Sequence, residues 1–272
     1  KAEQLLGKRK LELLYRTMWE AFPEVVDTTF GKEFRRAVDK DTPVVFGEFY
    51  PPLNKWFEVH AFPYKRGLSI YFRDISKRKR VENEYKRRGE LSDALNSIDA
   101  TINSTLDFDQ IMERVLTDSA RAIGAESAAI KLLEDDRWVV RYIYGLPRDL
   151  IGTQLTDEEA KAEVQILKTK KQIISNDAYN DERLNPELMR KYSIRSLLAT
   201  PLTVKGKVIG ILVFSYRSAP VTVTEPEADF ANTLAALVSL ALENARLYAE
   251  EQKYREYTQG ISPRTSRKQQ GK

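Results

Sequence analysis

Ser196-Leu197-Leu198-Ala199-Thr200-Pro201-Leu202-Thr203-Val204 and Lys207-Val208-Ile209-Gly210-Ile211-Leu212-Val213-Phe214-Ser215-Tyr216 are two apolar runs separated only by Lys205-Gly206. Two strand-like runs joined by a short turn with glycine read as a β-hairpin. Downstream, Thr224 is positioned to cap a helix that carries Pro226 in its first turn, where a missing N–H costs little. Phe230, Leu234, Leu237, Val238, Leu242 and Leu247 continue that helix, with a reach to residue 257.

Upstream of the hairpin the same grammar repeats. Ile111, Val115 and Ala122 share one face of a predicted helix from Leu106 to Ile123, closed by Gly124 as the residue after the cap. Ser127 to Leu133 and Trp138 to Tyr144 read as strands joined by the turn Glu134-Asp135-Asp136-Arg137, with Gly145-Leu146-Pro147 after them. Thr156 with Glu159 three residues on is a capping box for a helix over 157–170. Gln172 to Ser175 is a short strand, and Asn176 to Met189 is a polar loop with a short helix near Pro186–Lys191. The expected unit is α+β: an antiparallel sheet of five or six strands, the first and last helices on one face and the capped helix on the other. Val115, Ile130, Leu132, Ile143, Leu198, Ile211, Val213, Leu234 and Leu237 are its expected core.

The N-terminal third has a separate pattern. Residues 1–41 are helical and mixed, with a leucine cluster from Leu5 to Leu14, an interruption at Pro23, and Phe30, Phe34 and Val38 at four-residue spacing. Residues 43–74 switch to period two and give three strands, Val44–Tyr50, Trp56–Phe62 and Leu68–Phe72, turned by Pro51-Pro52-Leu53-Asn54 and Lys65-Arg66-Gly67. Phe57, Val59 and Ala61 share one strand face; Trp56, Glu58, His60 and Phe62 share the other. Residues 77–105 then read as a helical connector. Its Leu91, Leu95, Ile98 and Ile102, spaced 4, 3 and 4, form a seam for another helix.

Composition removes several function classes. The 272 residues include no cysteine and one histidine, His60. Disulfide scaffolds, thiolate metal sites, Cys nucleophiles, covalent bilin and cysteinyl flavin are therefore excluded, and so are His-pair metal sites. His60 reads as a structural or surface residue, with haem ligation or pH sensing as the alternatives. No two glycines have G-x-G spacing, and no phosphate-binding loop is present. No histidine follows residue 60, so the chain by itself lacks a phosphoacceptor histidine on a helix, and no enzyme activity is expected of it. No run approaches the roughly 20 apolar residues of a membrane-spanning helix, and a cytoplasmic location is the expectation. The net charge of +4 is concentrated in the connector, where residues 77–90 hold seven Lys/Arg against three Glu, and in the tail over 251–272, which is read as polar, basic and disordered. These read as solvated faces, and a nucleic-acid partner is not expected.

Several of these segments resemble a known family. Asp109-Gln110-Ile111-Met112, Ile123-Gly124-Ala125, Ala128-Ala129-Ile130, Tyr144-Gly145-Leu146, Ile194 to Leu202, Gly206 to Leu212 and Leu242-Glu243-Asn244-Ala245-Arg246-Leu247-Tyr248 together resemble a GAF domain over residues 106–250. Residues 1–76 resemble the C-terminal part of a PAS domain, on Ala2 to Gly7, Met18-Trp19-Glu20-Ala21-Phe22-Pro23, Tyr50-Pro51-Pro52, Trp56-Phe57-Glu58-Val59 and Tyr71-Phe72-Arg73-Asp74-Ile75-Ser76. In that family two further strands come first. The resemblance thus implies a fragment beginning inside a PAS domain, its last strand short of a partner.

The two resemblances together imply a sensory or regulatory PAS-GAF module, as in multi-sensor signal-transduction histidine kinases, feeding a kinase or another output domain. In GAF domains the ligand lies between the sheet and the 176–189 region. The resemblance therefore implies Tyr142, Asp177, Tyr179, Arg183 and Thr200 as polar ligand contacts, with ordinary loop roles as the alternative. It does not identify the ligand or cofactor. The seam Leu91, Leu95, Ile98, Ile102 is expected to pair with its twin in a homodimer, the alternative being packing on its own domain. A scaffold that binds no ligand is the second reading of the whole. A methionine sulfoxide reductase, as in one branch of the fold, is the third, and it needs cysteines that this chain lacks.

Overall fold

A computed structural model describes residues 3, 6–65, 67–104, 107–156 and 158–260. Leu5, Arg66, Leu106, Asp157 and the tail from residue 261, all part of the expectations above, lie outside the described residues. The chain divides into two compact units, the first ending at Lys86 and the second starting at Arg87.

In the first unit, short helices α1 (Lys10–Leu13) and α2 (Met18–Ala21) precede α3 (Thr29–Asp39). A sheet of β1 (Val44–Tyr50), β2 (Lys55–Tyr64) and β3 (Gly67–Asp74) follows, antiparallel and in the order β1-β2-β3. β2 buries Phe57, Val59 and Ala61 and turns its alternate residues outward, as period two requires. α3 buries Phe30, Phe34 and Ala37, whereas Val38 is exposed. A strict four-residue spacing overshoots the 3.6-residue turn, so by the second step Val38 has rotated off the stripe and Ala37 has taken its place. His60 is 41% exposed, 3.8 Å from Glu58, on the outer face of the sheet. Among the described residues β3 pairs only with β2.

α4 (Ser76–Ile102) is one continuous helix through Gly89. In the second unit it is followed by α5 (Phe108–Ile123), β4 (Ser127–Glu134), β5 (Arg137–Tyr144), α6 (Lys161–Thr169), β6 (Ile173–Ser175), α7 (Pro186–Lys191), β7 (Ser196–Val204), β8 (Lys207–Tyr216) and α8 (Glu225–Gly260). The five strands form one antiparallel sheet in the order β5-β4-β8-β7-β6. The β7-β8 hairpin lies at its middle. Gly124 ends α5 with φ +71°.

Each face of this sheet has its own core. Ile130, Leu198, Leu202, Leu212 and Phe214 point toward α5 and α8, where they meet Val115, Leu116, Phe230 and Leu234. Ile211, Leu197 and Ala199 point the other way, toward Ile166 of α6 and Met189 of α7. The first and last helices on one face and the capped helix on the other is thus the arrangement observed. Of the expected core, Val115, Ile130, Leu198, Ile211 and Leu234 are buried. Leu132, Ile143, Val213 and Leu237 are only half-buried.

Two boundaries and one packing partner differ from expectation. The Thr156–Glu159 capping box forms, but helix α6 begins at Lys161, because the box closes a separate turn before it. α8 continues as helix to Gly260, nine residues past residue 251, the expected start of a disordered tail. The pairs Arg246–Glu250 and Arg255–Glu251, each four residues apart, reinforce that stretch. The seam of α4 is filled within the chain: Leu91 and Ile98 are 3% and 1% exposed and join the α5/α8 core, with Leu95 and Ile102 packed beside them. Arg87, 2.9 Å from Glu227, fastens the same helix to the start of α8. Among the described residues no helix is long and apolar enough to cross a membrane.

Candidate functional site

The sheet face toward α6 and α7 does not close completely. Ala129, Lys131, Val140, Leu197, Ile211 and Val213 form the floor of a cavity of about 360 Å³. Its roof comes from α6 through Ala162, Glu163 and Ile166, from α7 through Leu188 and Met189, and from the 146–155 segment through Leu146, Leu150 and Leu155. The volume lies at the small end of ligand-binding pockets, and the lining is mostly apolar, as in such pockets generally.

One charged pair crosses this space. Lys131 Nζ lies 2.5 Å from Glu163 Oε1, with the side chains 16% and 5% exposed. The lysine rises from the floor and the glutamate hangs from α6, so the pair ties sheet to roof. β4 alternation puts Lys131 on the Ala129 face, and the 160, 163, 166 spacing puts Glu163 in the buried stripe of Ala160 and Ile166. Gly210 permits the close approach of β8 here: a Cβ on it would lie 2.7 Å from the Lys131 carbonyl. Glu159, also on the cavity wall, has its carboxyl held below the usual range, chiefly by the Thr156 backbone N–H and then its hydroxyl, with Lys191 and Lys131 adding smaller contributions.

None of the five residues implied by the resemblance lines this cavity. Tyr142 is on the opposite face, donating a 2.7 Å hydrogen bond to Asp109 of α5; burial first, and that bond second, push its phenol upward. The cause is a β-bulge. Ile130 pairs with Tyr142 but Lys131 pairs with Val140, leaving Arg141 as the extra residue. Regular alternation would put Val140 and Tyr142 on one face; the bulge separates them. Thr200 shares the helix-facing side with Leu198 and Leu202, where its hydroxyl accepts a 2.8 Å bond from Gln172.

Asp177, Tyr179 and Arg183 are in the 176–185 loop and serve to shape it. Asp177 accepts from Asn180 at 2.7 Å, Arg190 and Arg195 stack on the Tyr179 ring, and Arg183 donates to Asp181 and to the Ile174 carbonyl. Only the end of this loop, Leu184 and Asn185, reaches the cavity. Lys131 and Glu163 were overlooked in the sequence, although a charge in the inward register of a strand and another in an apolar helical stripe are the signal that marks them.

The Arg183 bond holds the Asp181 carboxyl down to about 2. A carboxyl lowered on folding contributes stability above its unfolded value, and that contribution is lost as pH falls toward its folded value. The urea midpoint of the second unit should therefore fall between about pH 4 and pH 2 by more in the natural chain than in Asp181→Asn. Equal acid sensitivity of the two would refute the role of this pair.

Among the described residues no three His, Asp or Glu side chains are grouped to hold a metal ion. A family model for the GAF domain matches residues 105–243, and the chain belongs to this family. A search of curated proteins finds no match. Among solved structures it is similar to the GAF domain of a phosphoenolpyruvate-protein phosphotransferase from Coxiella burnetii, with TM-score 0.54 and 21% identity, covering 60% of this chain and 98% of that one. It is similar to free methionine-R-sulfoxide reductase from Neisseria meningitidis, with TM-score 0.50 and 16% identity, covering 58% and 91%. A far-red-absorbing protein with bound biliverdin IXa gives 0.50 and 18%, covering 56% and 99%. At these identities the likeness is one of fold. GAF domains are generally regulatory and non-catalytic, with some found in enzymes.

Proposed function

We propose that this chain is a sensory PAS-GAF module of a signal-transduction protein, the input region of a sensor histidine kinase, and that its GAF domain binds a small molecule in the cavity above β4, β7 and β8. The observation that carries this reading is the cavity itself. A sheet face with apolar walls and a charged pair across it is kept open where larger side chains would have filled it. Residues 1–76 enter as a partial PAS domain, supported by the quoted segments and by three antiparallel strands with a helix packed on them. Residues 77–105 are the connector and 106–250 the GAF domain. The ligand site belongs to Lys131, Glu163 and their neighbours, and Tyr142, Asp177, Tyr179, Arg183 and Thr200 act as supports.

The test is a thermal-shift screen of small metabolites on the full chain, repeated on Val213→Phe, which fills the cavity from its floor. A compound that raises the Tm of the natural chain and not of the variant supports the reading, by preferential binding to the folded state. A variant that melts with the natural chain, with no compound moving either, leaves a scaffold that binds nothing.

Self-association, if it carries the signal, has to use something other than the α4 seam. Leu240 and Leu247 of α8 are seven residues apart and 60% and 47% exposed, and we assign the homodimer contact to that stripe. The seam variant Leu95→Glu/Ile102→Glu should accordingly lower Tm by roughly 5 °C while leaving the sedimentation coefficient unchanged. A change of assembly state with unchanged Tm would return the seam to a role between chains.

A further inference from the structure

The ion pair in the cavity states what sort of molecule fits beside it, an inference that rests on the ligand-binding reading above. An ammonium has three N–H donors and a carboxylate two acceptor oxygens. Among the described residues the only hydrogen bond of Lys131 Nζ is to Glu163 Oε1, and Glu163 Oε2 accepts none. Both side chains line the cavity. The pair therefore presents spare donors and a spare acceptor side by side, at the junction of floor and roof.

A charged ligand fits this arrangement poorly. A carboxylate drawn to Lys131 would compete with Glu163, and displacing that group strands a buried charge, which costs more than the new bond returns. Glu159, close enough to feel Lys131, adds to the repulsion. An amine drawn to Glu163 would lie against the Lys131 ammonium. Lys131 and Lys191 against Glu159 and Glu163 already balance along the wall, with Asp149 exposed to water. A neutral group with an acceptor and a donor side by side matches both halves and leaves the pair intact.

We propose that the GAF cavity takes a small, uncharged, mostly apolar molecule bearing a primary amide, lactam or ureido edge, whose oxygen accepts from Lys131 and whose N–H donates to Glu163. The rest of the molecule lies against Val140, Leu146, Ile211 and Val213.

The test uses four probes with one apolar body: phenylacetamide, N,N-dimethylphenylacetamide, phenylacetate and 2-phenylethylamine. Binding to the full chain is measured by ligand-observed NMR and calorimetry. Phenylacetamide is expected to bind at least about 10-fold more tightly than each of the others, a difference one extra charge-assisted bond provides. In Lys131→Met/Glu163→Leu its advantage over the dimethyl amide should shrink to within about twofold. Should that variant not fold, Glu163→Gln serves, with at least about a fivefold loss of the amide preference expected. Tighter binding of the acid or the amine, equal binding of the two amides, or a preference that survives the variants overturns the neutral-edge inference while leaving the cavity as a ligand site. No binding by any probe up to about 10 mM overturns both.

Discussion

Phe214→Ala is expected to remove most of the stability of the second unit. Phe214 is fully buried on β8, the middle strand of five, between Ala128 on β4 and Leu198 on β7. Truncating a buried phenylalanine costs about 3–5 kcal/mol, through lost transfer energy and the void left behind. Against a typical total of about 5–15 kcal/mol this is a large fraction. The urea midpoint should fall by roughly 2 M if the slope is ordinary for this size. Trp138 reports on this unit, since Trp19 and Trp56 belong to the other, so a Trp19→Phe/Trp56→Phe background isolates the signal. A shift below roughly 0.5 M would mean that the two-sided packing of β8 is wrong.

The second large effect is a sign reversal across a double-mutant cycle. Lys131→Met leaves Glu163, which is almost fully buried, without its cation and should destabilise by about 3 kcal/mol. Glu163→Leu leaves Lys131, whose head is nearer to cavity water, and should cost about 2 kcal/mol. Removing both should return to within about 1 kcal/mol of the natural chain, because a buried pair exchanged for apolar groups of similar volume is close to neutral. The coupling is then about 4–5 kcal/mol, large for a single contact. Additive single effects would show that the two groups are solvated separately, and the ligand chemistry drawn from their pairing would fall with them.

The architecture was largely legible in the sequence because hydrophobic period and turn residues act locally. Lys205-Gly206 between two apolar runs, Gly124 after Ile123 and Thr156 before Glu159 each announce a turn or an end without reference to the rest of the chain. The site was much less so. Which face of β5 Tyr142 occupies depends on Arg141 being unpaired against β4, a relation between strands that no reading along one strand reveals. Periodicity says that the α4 stripe is covered and not by whose residues; Leu91 and Ile98 share one core with Met112 and Leu234 of their own unit. Lys131 and Glu163 were passed over for the opposite reason, since each looks like a single charge among many until the fold brings them together.

The unpaired Arg141 also acts as a phase shift in the pleat of β5. Residues on one side of it are out of step with those on the other, so that Val140 and Tyr142, two apart, look into different compartments. Substituting Arg141 alters a side chain but leaves that phase alone. Deleting it would make Val140 and Tyr142 consecutive, still opposite Lys131 and Ile130 in a regular ladder, so each would keep its compartment. The wall of the cavity therefore tolerates the loss of this one residue, whereas a residue lost between Val140 and the Arg137 end of the strand would shift the register of what remains there. Arg141 is thus a spare step in β5: a length change absorbed there leaves both faces of the sheet as they are, and one made elsewhere in the strand does not.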